Sequence, residues 1–404
     1  MPETSLFDGS IQKIKLPFRL IGINIDHKKR NLKQNCILVF NYLWVLPDFI
    51  ATLAWLVRRI INGEDFMELT YVVPCVTNGF VADAKAIFLI LQESKVHTLM
   101  DNLRALETKS KDFVNSEKES IIKPEITFLN IVIKVLNVIN SLMLVVFIMI
   151  PLIKTAVNYF TTGQVELLLP FLDVYPFDST EFKYWPFAFI HQCWTVVMTL
   201  LKICGIDYFF FTCCTHIRIQ FKLLRHQFQE IIANRSVSGF DPVDQMAIRT
   251  KCQELVKWHQ GIISSADMLE GIYSKSTLFN FMASSMIICL SGFNVTTVDD
   301  TVLVVTFMVF LFMSLLQVFF LCLFGDILMN SSMEVADAVY NSRWYFSDMV
   351  IRRNILLVQT RAQKPCKLTA AGFSDVNLMA YMKIISSSWS YFALLQTIYG
   401  SRIE

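Results

Sequence analysis

The chain predicts an all-α membrane protein: seven transmembrane helices, a cytoplasmic N-terminus, an extracellular C-terminus and a helical cytoplasmic assembly block. Three observations predict it. Of 404 residues, 54% are hydrophobic and 17% are charged, where a soluble domain carries about 25% charged residues. Mostly apolar segments of about 20 residues, long enough to cross a bilayer, recur along the chain. Lys and Arg gather in alternate connections between those segments. The abundance of Phe (34) and Met (17) fits a lipid-facing protein with an adaptable interior.

The segment 1–36 mixes charge with isolated apolar residues and lacks the apolar core of a secretory leader, so it is expected to be cytoplasmic and uncleaved. Four spans are expected within 37–213, at roughly 37–57, 69–92, 126–150 and 187–213; Asp83 and Lys85 interrupt the second. Spans five and six occupy 276–325, at about 276–297 and 301–325, and span seven covers 373–399. Only the short tail 400–404 follows, which puts the C-terminus at a membrane face.

Orientation follows from the excess of Lys and Arg on the cytoplasmic side. Connections 1–36, 93–125, 214–275 and 326–372 hold 27 of the 36 such residues; 58–68, 151–186, 298–300 and the tail hold five. The N-terminus is therefore read as inside and the C-terminus as outside. That is opposite to a G-protein-coupled receptor, and Asp-Arg-Tyr after the third span and Asn-Pro-x-x-Tyr in the seventh are both missing. Asn294-Val-Thr falls in the short outer turn between spans five and six, which makes Asn294 the glycosylation candidate. The ten cysteines show no Cys-x-x-Cys spacing and are expected mostly as buried small hydrophobes; pairing of Cys75 with Cys193 stays open.

Between the spans the cytoplasmic connections keep a helical period. Ile217, Phe221, Leu224, Phe228 and Ile231 continue the fourth span inward. A turn is expected at Ser236–Pro242, and a second long pattern runs from Asp244 through Leu255, Trp258, Ile262 and Leu269 into span five. Residues 326–345 extend span six, and 346–362 form a further amphipathic helix before the Pro365 break. So many apolar stripes in one compartment point to an assembly domain, made of the extensions 214–275 and the anchor helices 326–372.

Three blocks resemble the insect odorant-receptor family. They are His259-Gln-Gly-Ile-Ile through Asp267-Met-Leu-Glu-Gly-Ile-Tyr-Ser to Cys289-Leu-Ser-Gly-Phe293, then Leu323-Phe-Gly-Asp-Ile-Leu through Ala338-Val-Tyr-Asn-Ser-Arg-Trp-Tyr345, and last Ser390-Tyr-Phe-Ala-Leu-Leu-Gln396. Their order and spacing cover nearly the whole chain. The gustatory receptors share this architecture, and the first two blocks favour the odorant branch. The resemblance implies an odorant-binding subunit of a ligand-gated, non-selective cation channel, tetrameric around one pore. It further implies a heteromer with the odorant-receptor co-receptor, at the plasma membrane of olfactory neuron dendrites. The short connection about Asn234–Asp244 resembles a tuning subunit, since the co-receptor has a much longer insertion there.

At 100° per residue, Lys383, Ser387, Ser390, Tyr391, Leu394, Thr397 and Ile398 share one stripe of the last helix. Four copies around an axis would line a hydroxyl path closed by rings of Leu394 and Ile398, which gate by dewetting. The resemblance assigns the gate to those two positions, with Gln396 and Thr397 beside it to steer ions. The competing reading is small residues packing helix on helix within one subunit. A lysine ring disfavours cations, so Lys383 is expected to snorkel or to pair with an acid.

A volatile lipophilic ligand needs an apolar, aromatic cavity. The outer halves of spans two, three, four and six offer Tyr71, Val73 and Phe80; Met143 and Phe147; Trp194, Met198 and Leu201; Phe307 and Phe310. Family resemblance implies a pocket in this region. Lys202 and Asp207 are five residues apart, poorly placed for a mutual pair; Asp207 is expected to bond to the cytoplasmic helices. Asp326 and Asp337 are read as contacts in the assembly block. There is no phosphate-cradling loop and no metal-ligand cluster, and the six His are scattered, so no enzyme, cofactor, metal or nucleic-acid role is expected. The ligand and the surrounding lipid are the expected small partners. A metabotropic receptor would need the opposite topology, and a transporter would need repeats that are not found.

Overall fold

A computed structural model of the chain describes residues 5–25, 32–62, 66–111, 117–163, 167–170, 175, 177–179, 181–233, 242–342 and 344–403. The first helix, α1 (Leu6–Ile21), is an element that span-counting does not reach. Phe7, Ile11, Ile14, Phe18 and Ile21 recur at three- and four-residue steps, and all five are buried. Glu107 caps its start from a distant helix, accepting from Leu6 N (2.7 Å), Phe7 N (3.0 Å) and Ser5 Oγ (2.6 Å). Gly22 ends it at φ 82, where a Cβ would lie 2.6 Å from Leu38 N.

Next come α2 (Leu32–Ile61), α3 (Phe66–Leu91), α4 (Glu93–Lys111), α5 (Glu117–Thr162), α6 (Trp185–Ala233), α7 (Pro242–Thr297) and α8 (Thr301–Tyr340). A 3-10 turn (Trp344–Phe346), α9 (Met349–Ala362), a hairpin of β1 (Thr369–Ala370) and β2 (Ser374–Asp375), and α10 (Leu378–Ile403) complete the described elements. Among them α2, α3, α5, α6, α7 and α8 are long and apolar enough to cross a membrane. The seventh expected span, α10, has 26 residues but falls outside that group, because serines and other polar residues dilute it.

The long helices outrun the bilayer. At about 1.5 Å per residue, the 49 residues of α6 span about 73 Å and the 56 of α7 about 84 Å, well beyond a hydrocarbon core of about 30 Å. The expected inward continuations of spans four, five and six are therefore each one unbroken helix with its span. The turn expected at Ser236–Pro242 lies outside the described residues, apart from Pro242, which opens α7. The helix expected at 346–362 is α9, with Ile351, Ile355, Val358 and Ala362 buried.

The core gathers around α6, which packs against α1, α3, α5, α7 and α8. Phe211 stacks on Phe324 with ring centres 4.5 Å apart, and Phe210 meets Tyr273 edge-on at 4.9 Å. Tyr273 donates to Ile206 O (2.9 Å) and the Trp258 indole to Gln220 (3.1 Å), so these buried polar groups are satisfied. His216 and His259 are buried in the later half of α6 and the earlier half of α7. Counted from Trp185 and from Thr297, they sit about 46 Å and 57 Å along the helices, farther than the thickness of a bilayer core. Burial pushes each imidazole down to about 4, with Glu107 and Asp8 opposing at His216 and Arg361 adding at His259.

Span seven was expected from residue 373, but 373–377 belong to the hairpin, and the helix begins at Leu378. The tight turn explains the shift. Ala371 (φ 50) and Gly372 (φ 76) are left-handed, Ala371 N donates to Ser274 O (3.1 Å), and Val376 N donates to Leu368 O (2.7 Å). Gly325 of α8 lets the Val376 carbonyl come into contact where any side chain would collide. The hairpin thus fixes the start of α10 against α7 and α8.

Candidate functional site

The half of the bundle next to the α5–α6 connection holds a cavity of about 490 Å³, between α2, α3, α5, α6 and α8. Its wall is aromatic: Tyr71 meets Phe307 (5.6 Å) and Phe147 meets Phe310 (6.1 Å). Leu168, Leu169 and Pro170 of the α5–α6 connection also line it. The Trp185 indole donates to Leu168 O (3.0 Å), and Leu168 N donates to Thr155 (3.2 Å), fixing that connection.

Charge enters the cavity only in pairs. Lys85 Nζ lies 2.7 Å from Asp207 Oδ1, with the side chains 4% and 7% exposed, and Gln317 Nε2 donates to Asp207 Oδ2 (2.9 Å). Lys202 Nζ reaches Asp83 at 2.5 Å and lies 4.8 Å over the Tyr42 ring. Two opposite pairs thus cross-link α3 and α6, which corrects the expectation that Asp207 bonds to the cytoplasmic helices. Its partners are on α3 and α8, and the carboxylate borders the cavity. Asp48 of α2 meets His191 Nδ1 (2.8 Å), Tyr175 OH (3.4 Å) and the Thr195 hydroxyl. At the cavity's rim near the start of α8, Lys154 pairs with Asp300 (2.6 Å), which also caps α8 by accepting from Val302 N. That ammonium, with the amide of Val302, holds the Asp300 carboxyl below the usual carboxylate range, against the pull of burial.

Five of the ten pocket candidates line the cavity: Tyr71, Met143, Phe147, Phe307 and Phe310. Five do not. Val73 is displaced by its neighbour Val72. Phe80 is 46% exposed and packs on Phe49 and Phe279. Trp194 is exposed, Met198 is buried in the core, and Leu201 packs against that core. On α6 the lining residues are instead Thr195, Val196, Thr199, Leu200 and Ile203. The α2 wall, Val45, Asp48, Phe49 and Thr52, has no counterpart among the candidates. The signal for it was the buried-type Asp48 inside an apolar span.

The second candidate site is the outward face of α10. Ser387, Tyr391, Leu394, Gln396, Thr397 and Ile398 are all exposed, Leu394 at 56% and Ile398 at 48%. The opposite face holds the helix to its neighbours. Ser388 Oγ meets Ser285 Oγ at 3.0 Å, Tyr381 packs edge-on against Phe319 (5.5 Å), and Tyr399 against Phe293 (5.7 Å). Gln396 bonds back to Thr296 at 3.3 Å. Lys383 is exposed, and no acid pairs with it among the described residues.

Asn294 is corrected. It lies inside α7, is 0% exposed, accepts from Thr70 Oγ1 (2.6 Å) and donates to Thr70 O (2.8 Å). A bonded, buried amide is out of reach of a glycosyl donor. Cys75 and Cys193 are not joined by a disulfide.

The family model for the 7tm odorant receptor matches residues 65–389. The chain belongs to the odorant receptor family. It is similar to putative odorant receptor 92a of Drosophila melanogaster, 26% identical over 90% of this chain and 87% of that receptor. Odorant receptor 67c of the same fly is 27% identical over 95% and 94% of the two chains. The fold matches the insect olfactory receptor OR5 from Machilis hrabei in complex with eugenol, with a TM-score of 0.81 at 18% identity over 97% and 98% of the chains. A second structure of the same receptor gives 0.83. The chain is thus a multi-span olfactory receptor, and its family is one of receptors, not of enzymes.

Proposed function

We propose that this receptor is the odorant-binding subunit of a ligand-gated, non-selective cation channel. The observation that carries the reading is the unburied stripe of α10. A helix that packs on α7 and α8 by one face leaves Ser387, Tyr391, Leu394, Thr397 and Ile398 on the other. Four copies of the stripe around an axis would line a water path with its hydroxyls. Leu394 and Ile398 close that path as apolar rings in the resting state, and Gln396 and Thr397 flank it.

The cavity receives the volatile ligand. It lies beside α8, whose Phe319 contacts Tyr381 of α10, so a ligand that shifts α8 can bias the pore helix. A co-receptor of the same architecture supplies the remaining subunits at the plasma membrane of the olfactory dendrite. The excess of Lys and Arg in alternate connections supports an inside N-terminus and an inside assembly block. The eugenol complex of the Machilis receptor supports a small neutral ligand in this fold.

The test is whole-cell current in cells expressing this chain with an insect odorant co-receptor, under a volatile panel and with G-protein signalling blocked. Fast inward cation current that needs both chains is expected. A response abolished by the block would instead make the receptor metabotropic.

A further inference from the structure

Two lysines buried in the bundle, Lys85 and Lys202, each hold an aspartate. Lys134 of α5 has no such partner among the described residues. It is exposed on the outside of the bundle, beside the exposed Ile131, Val135 and Val138, on a helix long and apolar enough to span. An ammonium among hydrocarbon is costly without a counter-charge. Asn130 and Asn137, one turn to either side, extend it into a polar row.

The neighbour of that row is α1. Both α1 and α5 pack on α6, and Lys13 Nζ of α1 reaches across to Asn130 Oδ1 (2.8 Å). Asn130 takes one of the three ammonium protons. Along α6, α1 runs from His216, where Phe7 meets the imidazole at 5.1 Å, to Gly205, where a Cβ would lie 3.1 Å from Pro17 Cβ. Near its end, Leu20 O accepts from the buried Asn41 amide of α2 (2.9 Å), as a helix terminus in apolar surroundings requires. The second half of α1 therefore lies against the apolar parts of α2 and α6. Leu16 (63% exposed) and Leu20 (43%) point outward on the face that carries Lys13.

We propose that the groove between α1 and α5 binds an anionic phospholipid. The phosphate sits between the ammonium groups of Lys13 and Lys134, and Asn137 donates to the headgroup. One acyl chain runs along Leu16 and Leu20, the other along Ile131 and Val135. Two cations favour a net negative headgroup over phosphatidylcholine, whose choline offsets its own phosphate. A second protein chain would have to bring a carboxylate into apolar surroundings to match Lys134, a desolvation cost that a phosphate already at the membrane surface does not carry. With the N-terminus inside, as proposed above, the groove opens on the leaflet that holds the anionic lipids.

The experiment titrates the purified full chain in detergent micelles with a fluorescent probe, NBD-labelled phosphatidylserine, read by anisotropy. NBD-labelled phosphatidylcholine is the matched zwitterionic lipid. The serine lipid is expected to bind about 25-fold tighter, about fivefold (about 1 kcal/mol) for each lysine. Lys13→Gln and Lys134→Gln should each cut that preference about fivefold, and together remove it. Lys13→Arg with Lys134→Arg keeps both charges and should keep the preference. Lys95→Gln, at an exposed lysine of α4, changes the net charge equally and should leave the preference intact.

Equal binding of the two lipids, or a preference that survives the double glutamine variant, overturns the site: the groove is then covered by ordinary lipid tails or by another chain. A loss in Lys95→Gln as large as in Lys134→Gln means a general charge effect and overturns it too. So does loss in the double arginine variant, which would make the lysines structural. Glycerophosphoserine, the headgroup without acyl chains, should not displace the probe at equal concentration; if it does, the groove takes a soluble anion and the lipid assignment falls.

Discussion

Removing the Asp207 carboxylate should destabilise this receptor more than any other single charge deletion in its bundle. Lys85 is 4% exposed, and its ammonium has Asp207 as its ion-pair partner at 2.7 Å. Asp207→Asn leaves that charge buried without a counter-ion, which costs about 3–5 kcal/mol. Asp83→Asn breaks the companion pair in a different setting. Asp83 is 24% exposed, and Lys202 keeps the face of Tyr42 at 4.8 Å. A desolvated cation–π contact contributes about 2 kcal/mol, so the net loss there falls to about 1–3 kcal/mol. Exchanging the charges, Lys85→Asp with Asp207→Lys, should recover part of what the single change loses, because the two ends sit in one contact. The assay is the thermal inactivation midpoint of purified receptor in detergent, followed by probe binding and by surface expression. The expected order is wild type, then Asp83→Asn, then Asp207→Asn, with the exchange above the latter. If Asp83→Asn is as damaging as Asp207→Asn, or the exchange is no better than the single change, then the pairing is not what holds α3 to α6.

Other outcomes follow from the same geometry. Leu394→Ala or Ile398→Ala, both exposed on the α10 stripe, should raise basal current or alter ion selectivity when paired with the co-receptor; normal surface expression with unchanged currents in both would remove this face from the pore. Phe307→Ala opens the cavity wall beside Tyr71, and odorant sensitivity should fall at least tenfold (roughly the loss of a buried aromatic contact) while basal current is kept. Acidification should destabilise the packing of α6 and α7 around His216 and His259. The folded His216 and His259 sit at about 4, below the ordinary 6.5, so the unfolded chain binds more protons. The stability they contribute is full above that ordinary value and is lost as pH falls toward the folded one, about 2 kcal/mol per histidine between roughly pH 7 and 5. His216→Gln with His259→Gln should flatten the melting-point profile in that window. Glu107→Ala strips the cap from α1 and should cost about 2 kcal/mol, read as a lower inactivation midpoint.

What the sequence made legible, and what it hid, divides by physical cause. The continuations of α6, α7 and α8 beyond their spans were legible because outside an apolar span only one face is apolar, so Ile217, Phe221, Leu224 and Phe228 stand out from their charged neighbours. Within the bilayer that contrast disappears. The spanning part of α6 is apolar all round, so its rotational phase cannot be read, and Trp194, Met198 and Leu201 were named where Thr195, Thr199 and Ile203 face the cavity. The ion pairs were hidden for another reason. Lys85 and Asp207 are 122 residues apart, and a rule of three- and four-residue neighbours sees partners on one helix only. The stripe of α10 was legible because the helix keeps two unlike faces along its whole length. That same property lowers its hydropathy and leaves it out of the set of helices apolar enough to span. A helix that presents hydroxyls to a water path must be poorer in apolar residues than one surrounded by lipid and protein. On the proposed reading, then, the shortfall of α10 is not evidence against a seventh span but the compositional mark of a helix with water along one side.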